Sequence, residues 1–219
     1  TLNGGTSATG FTYDAQCDPA TFLCTNGQSI QADAAPTRTG YTFTGWRDQS
    51  GNPIAAGATF TVTLNRYLLS AQWSAIDYNI SYAAAGGGAV PATFTKQITQ
   101  SFTVANAISK TGYTFAGWSD GTLTYGAGAN YIVSSNNVTL TAQWTPNVYT
   151  ITYDWNGGSG SSTASTSYTV GDLAVTLPLV GNHVKDGYQF GGWSTTSSGS
   201  SVGAAYTPTS SLTLFAVWG

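Results

Sequence analysis

Short stretches in which large apolar and small polar residues take turns run through this chain. Tyr78-Asn79-Ile80-Ser81-Tyr82 and Tyr149-Thr150-Ile151-Thr152-Tyr153 each set three large side chains against two small polar ones, the period of a half-buried strand. Leu69, Ala71 and Trp73 alternate with Ser70 and Gln72, and the same Leu-x-Ala-x-Trp step returns at Leu140, Ala142, Trp144 and at Leu214, Ala216, Trp218. The small Ala between two large residues predicts another element crossing close by. Tyr41 and Phe43 lie two apart and share one face of a strand, but Trp46 breaks the alternation by one residue. A bulge at Gly45 would restore it, and Gly suits a bulge.

The Tyr41–Trp46 stretch belongs to a signature, Gly-Tyr-x-Phe-x-Gly-Trp, that occurs at residues 40–46, 112–118 and 187–193, its tryptophans 72 and then 75 residues apart. A fixed period of this size marks tandem units. Each signature is followed by Gly-Ala-x-aromatic (Gly57 to Phe60, Gly128 to Tyr131, Gly203 to Tyr206) and then by Leu-x-Ala-x-Trp. Three repeats result, at residues 1–73, 74–144 and 145–219. The first begins at Thr1-Leu2-Asn3-Gly4-Gly5, which aligns with 154–158, so it lacks the opening strand. Gly-rich turns (Gly86-Gly87-Gly88, Asn156-Gly157-Gly158) follow the opening strands, and second strands are expected at 94–104 and 166–170. Residues 30–36, 105–110 and 172–178 have room for a helical turn or a brief helix, so the expected class is β-rich α+β. Linkers of four residues, Ser74 to Asp77 and Thr145 to Val148, predict units held end to end with little freedom.

Composition narrows the function classes. Aromatics make up 13% of the chain, charged residues only 7%, and the net charge is −3; a unit this small has a marginal core, and aromatics bury the most area per residue. With no basic run, nucleic acid is not a partner. No apolar run approaches the roughly 18 residues of a membrane span.

Gly-Tyr-x-Phe-x-Gly-Trp with a terminal Leu-x-Ala-x-Trp, in three ordered copies over essentially the whole chain, resembles the Listeria–Bacteroides repeat family, which includes the B repeat of internalin B. The resemblance implies small β-grasp-like (ubiquitin-like) repeats in tandem and a role in bacterial surface stalks, spacers and adhesion modules, with no catalytic set. This chain departs from the family's usual composition in its scarcity of charge and in a Cys-bearing insertion in repeat one.

The chemistry-bearing residues are few. His183 is the only histidine, and no Ser-His-Asp or Cys-His set surrounds it. Asp48 and Asp120 recur two residues after the signature Trp, where repeat three has Thr195; a turn-forming role explains them better than catalysis. Cys17 and Cys24 enclose six residues and read as a disulfide stapling the inserted loop in an extracellular setting, a contribution of about 2 kcal/mol. No cofactor or metal is expected. Trp155 is the one Trp outside the repeat pattern and a candidate contact for a glycan or a host protein. The structural core is expected at Tyr41, Phe43, Trp46, Trp73, Tyr113, Phe115, Trp118, Trp144, Tyr188, Phe190, Trp193 and Trp218.

The reading that follows is a non-enzymatic structural repeat protein of the bacterial cell surface or wall. Its partners are neighbouring repeats of the same or another chain, and a surface glycan or host protein in the adhesion alternative. A second alternative uses the open edge of repeat one for strand addition into a filament; a segment of a longer repeat protein explains the missing strand more simply.

Overall fold

The computed structural model describes residues 27–62 and 69–219. Cys17, Cys24 and the stretch from Thr1 to Gly5 lie outside the described residues.

Among the described residues of repeat one the strands are β1 (Ser29–Gln31), β2 (Tyr41–Arg47), β3 (Pro53–Ile54), β4 (Thr59–Thr61) and β5 (Ser70–Ala75). Repeat two holds β6 (Asp77–Ala83), β7 (Phe94–Gln97), β8 (Ser101–Thr103), β9 (Tyr113–Ser119), β10 (Thr124–Tyr125), β11 (Asn130–Ile132) and β12 (Val138–Pro146). Repeat three holds β13 (Val148–Asp154), β14 (Thr166–Thr169), β15 (Val175–Thr176), β16 (Phe190–Ser194), β17 (Ala205–Tyr206) and β18 (Leu212–Trp218). By spatial clustering the chain divides into two compact units, Thr1–Tyr82 with Pro91–Ala105 and Gly128–Leu140, and Ala83–Val90 with Asn106–Ala127 and Thr141–Gly219.

One scheme recurs. The signature strand pairs antiparallel with the last strand of its repeat, as β2 with β5, β9 with β12 and β16 with β18. In repeat three the opening strand β13 then lies parallel to β18 and antiparallel to β14. The sheet orders are β3-β2-β5, β10-β9-β12-β6-β7 and β14-β13-β18-β16. A small antiparallel ladder accompanies each sheet: β1 with β4, β8 with β11, β15 with β17.

Among the described residues no element is a helix, so the α+β expectation is overturned. The β-grasp frame falls with it, because that frame lays a helix across its sheet. The three segments with room for a helical turn show why. Residues 30–36 end in Pro36, and 172–178 follow Gly171 and end in Pro178. Helix nucleation is costly over so few residues; in two of the segments pairing with a distant stretch satisfies the backbone, as Ala32 N donates to Ala58 O and Leu177 N to Ala204 O, while 105–109 is irregular. The expected single strand 94–104 is also broken. Thr99 takes a left-handed φ of 66° between β7 and β8, and the two halves join different sheets.

Repeats one and three each have a buried aromatic cluster. In repeat three Ile151, Trp155, Leu177, Trp193, Leu214 and Ala216 form one buried cluster, with Tyr153, Phe190, Tyr206 and Trp218 packed around it. In repeat one Ala32, Trp46 and Ala71 form the centre, flanked by Phe43, Phe60 and Trp73.

Candidate functional site: the aromatic frame and the joints between repeats

The second half of the signature builds each repeat's own core. Trp46, Trp118 and Trp193 are essentially inaccessible to solvent, and each faces an alanine across the ladder: Ala71, Ala142 and Ala216. The small residue of Leu-x-Ala-x-Trp is therefore the gap into which the signature indole fits. Register slips by one residue beside Gly45, Gly117 and Gly192, whose φ values are 133°, 134° and 117°. This bulge turns the Trp onto the face already used by Phe. Phe43, Phe115 and Phe190 then stand edge-on between two indoles, 5.3, 5.3 and 5.6 Å from the signature Trp and 5.6, 5.5 and 5.6 Å from Trp73, Trp144 and Trp218. Each such pair adds about 0.5–1.5 kcal/mol beyond its buried area.

The terminal Trp closes the unit on the Gly-rich turn. Trp144 Nε1 donates to Ala84 O at 3.1 Å, and Trp218 Nε1 donates to Trp155 O at 2.8 Å. The second Gly of each turn lies under the indole; a Cβ on Gly158 would sit 2.5 Å from Trp218 Cζ2, and one on Gly87 would strike Trp144 Cζ2. The acceptor is main chain, so the residue supplying it can be Ala84 in one repeat and Trp155 in the next.

A basic residue two positions before the signature Gly was not singled out from the sequence, although the signal was there. Arg38, Lys110 and Lys185 are half of the chain's six Lys and Arg. Arg38 Cζ lies 3.8 Å from the ring centroid of Tyr41, Lys110 Nζ 4.3 Å from that of Tyr113, and Lys185 Nζ 5.1 Å from that of Tyr188. Lys110 Nζ also donates to Ala85 O, and Lys185 Nζ to Asn156 O, at 3.2 and 3.1 Å. Both acceptors belong to residues in the left-handed region, with φ 49° and 50°. The cation thus ties the Gly-rich turn to the signature Tyr.

The Gly-Tyr half of the signature faces outward, toward the next repeat. Tyr41 and Tyr113 are half-buried, while Tyr188 is 54% exposed. Between the last strand of one repeat and the first strand of the next only a single residue remains, Ile76 or Asn147. Its amide donates back to the signature Gly: Ile76 N to Gly40 O and Asn147 N to Gly112 O, both at 2.9 Å. Against that Gly packs a β-branched residue from just beyond the second strand of the following repeat. A Cβ on Gly40 would stand 2.6 Å from Ile98 Cγ2, and one on Gly112 would stand 2.9 Å from Val170 Cγ1. Val170 N in turn donates to Asn147 O at 3.0 Å, and Thr114 Oγ1 donates to Asn147 Oδ1 at 2.7 Å. Gly is required there for φ near 80° and for the close approach.

The remaining candidates are structural in their contacts. Trp155 is 8% exposed, and its ring stacks on His183 at 3.5 Å and 12°, while its Nε1 donates to Thr163 Oγ1. Both ring nitrogens of His183 face main-chain carbonyls, those of Val180 and Ser161, which pins the imidazole in place. Asp48 Oδ1 accepts from Ser50 N and Asn52 N, and Asp120 Oδ1 from Thr122 N and Leu123 N, so both carboxylates close turns. Burial raises the Tyr82 phenol above the ordinary tyrosine value, and the Ala105 N–H that it accepts works in the opposite direction. Among the described residues no three His, Cys or Asp side chains gather as a metal would require, and no helix is long and apolar enough to cross a membrane.

The Listeria-Bacteroides repeat domain matches the chain three times, at residues 1–70, 78–143 and 149–217. The chain belongs to the Listeria-Bacteroides repeat family. Two curated relatives come from Evansella cellulosilytica. One, provisionally named a Gly-rich membrane protein, is 34% identical over 158 residues, 70% of this chain and 18% of its own length. The other, provisionally named a membrane protein, is 31% identical over 201 residues, 88% of this chain and 30% of its own length. The chain therefore spans less than a third of either relative.

Proposed function

We propose that this chain is a non-enzymatic structural segment of a bacterial cell-surface protein, in which Listeria-Bacteroides repeats serve as a spacer. The observation that carries this reading is the pair of joints. At each one a signature Gly receives an aliphatic side chain of the next repeat, and the single linking residue is held by its own amide. Among the described residues, Asp48 and Asp120 close turns and His183 stacks on Trp155. Surface attachment is supported by relatives that are named as membrane proteins and are several times longer than this chain.

A spacer works only if its joints resist bending. The test is backbone 15N relaxation on the intact chain, comparing amides of β9 with those of β16. A shared rotational correlation time is expected. Separate correlation times, as for independently tumbling beads, would remove the spacer reading.

A further inference from the structure

The end of repeat three carries the same joint surface as repeats one and two, with no neighbour against it among the described residues. Gly187 has φ 80°, the value found at Gly40 and at Gly112. Lys185 pairs with Tyr188 through an isolated antiparallel bridge, as Lys110 pairs with Tyr113 and Arg38 with Tyr41. The cation stands over the ring in all three. Around Gly40 and Gly112 the nearest atoms belong to Ile98 and Val170, whereas nothing lies within 4 Å of a Cβ placed on Gly187. The half-burial of Tyr41 and Tyr113 gives way to an exposed Tyr188.

We infer that Gly187, Tyr188 and Lys185 form a docking socket for a further Listeria-Bacteroides repeat, one that presents Ile or Val just beyond its second strand. This inference rests on the spacer reading. The chemistry of the occupant follows from the two occupied joints. The cleft over a Gly in the left-handed region is only as deep as a missing Cβ. A β-branched side chain fills it with two methyl-bearing branches, as Val170 does with Cγ1 at 2.9 Å and Cγ2 at 3.2 Å. A polar side chain there would lose its water without gaining a partner. The approach path is fixed too: the strand entering behind the terminal Trp must bring its first free amide to the carbonyl of the signature Gly, as Ile76 and Asn147 do. Because Gly187 already holds φ 80° with no neighbour against it, the socket is preformed and docking does not have to reorganise the backbone.

The test lengthens the chain by its own repeat. Thr145 follows Trp144 as Gly219 follows Trp218, so residues 146–219 are appended after Gly219. The readout is the rate at which tetranitromethane nitrates Tyr188, followed by peptide mass spectrometry with Tyr113 as the internal standard. In the unextended chain Tyr188 is expected to react several-fold faster than Tyr113. In the extended chain it should slow to the Tyr113 rate, and Val170→Asp placed only in the appended copy should restore the fast rate. Hydrogen-exchange protection of the appended Leu214 amide shows whether that repeat has folded. A folded appended repeat that leaves Tyr188 fast, or slow nitration of Tyr188 that survives the Asp substitution, would overturn the socket. The spacer reading fails separately, through independent tumbling of repeats two and three in the unextended chain.

Discussion

Gly112 and Gly187 occupy the same place in successive repeats and have the same φ of 80°, yet Val170 crowds the first and, among the described residues, nothing lies against the second. The difference teaches that the joint conformation is set within each repeat. The bridge between the basic residue and the Tyr, and the cation over the ring, hold the turn whether or not a neighbour is present. The neighbour then adds packing and a hydrogen bond to a surface that is already shaped. By contrast the Phe-Trp half of the signature is indifferent to neighbours, because its partners are the Ala and Trp of its own last strand.

Truncating the signature Trp should have the largest effect and should not distinguish the two repeats. Trp118→Ala and Trp193→Ala are each expected to cost about 3–5 kcal/mol, measured by hydrogen exchange at Leu140 and Leu214; a much smaller loss in one would mean the frame is not shared. Gly112→Ala and Gly187→Ala break the comparison open. Both pay about 1–2 kcal/mol for a left-handed alanine, but only Gly112→Ala meets Val170 and should lose about 1–3 kcal/mol more. Equal losses in denaturant titration would show that the neighbour contributes nothing at the joint.

Alkaline pH should loosen repeat two from inside, at Tyr82. Because the folded state raises the Tyr82 phenol above its ordinary value of 10.0, its contribution is intact below about pH 10 and is lost as pH rises beyond that. Tyr82→Phe should flatten this alkaline limb while costing about 1–3 kcal/mol at neutral pH, since Ala105 N–H loses its acceptor. An unchanged alkaline limb in the variant would assign it to another group. The smallest expected effect is the removal of the cation: Lys110→Met and Lys185→Met should each cost about 0.5–1 kcal/mol. If the socket is held as described, Lys185→Met also moves the Gly187 amide resonance; an unshifted resonance would mean that the turn holds without it.

The period was legible because the signature recurs whole, and the strand alternation and the bulge at the signature Gly because they are local: residues two or five apart are enough to set which face a side chain takes. The three basic residues before the signature were equally legible by repeat position, but their value lies in the fold, where each meets a Tyr ring three residues on and, in repeats two and three, a turn carbonyl 25 or 29 residues away. What only the tertiary structure decided is pairing at a distance. The Ala of the last strand proved to be the berth of the signature Trp, and the Gly-rich turn proved to lie beneath the terminal Trp. Two of the short segments that had room for a helical turn, 30–36 and 172–178, contribute ladder strands instead, because a distant partner strand satisfied their backbone better than one unsupported turn of helix could; 105–109 is irregular. The signature Gly found its neighbour in the following repeat, a contact no single repeat's sequence contains, since the side chain that fills the cleft is supplied by the next unit.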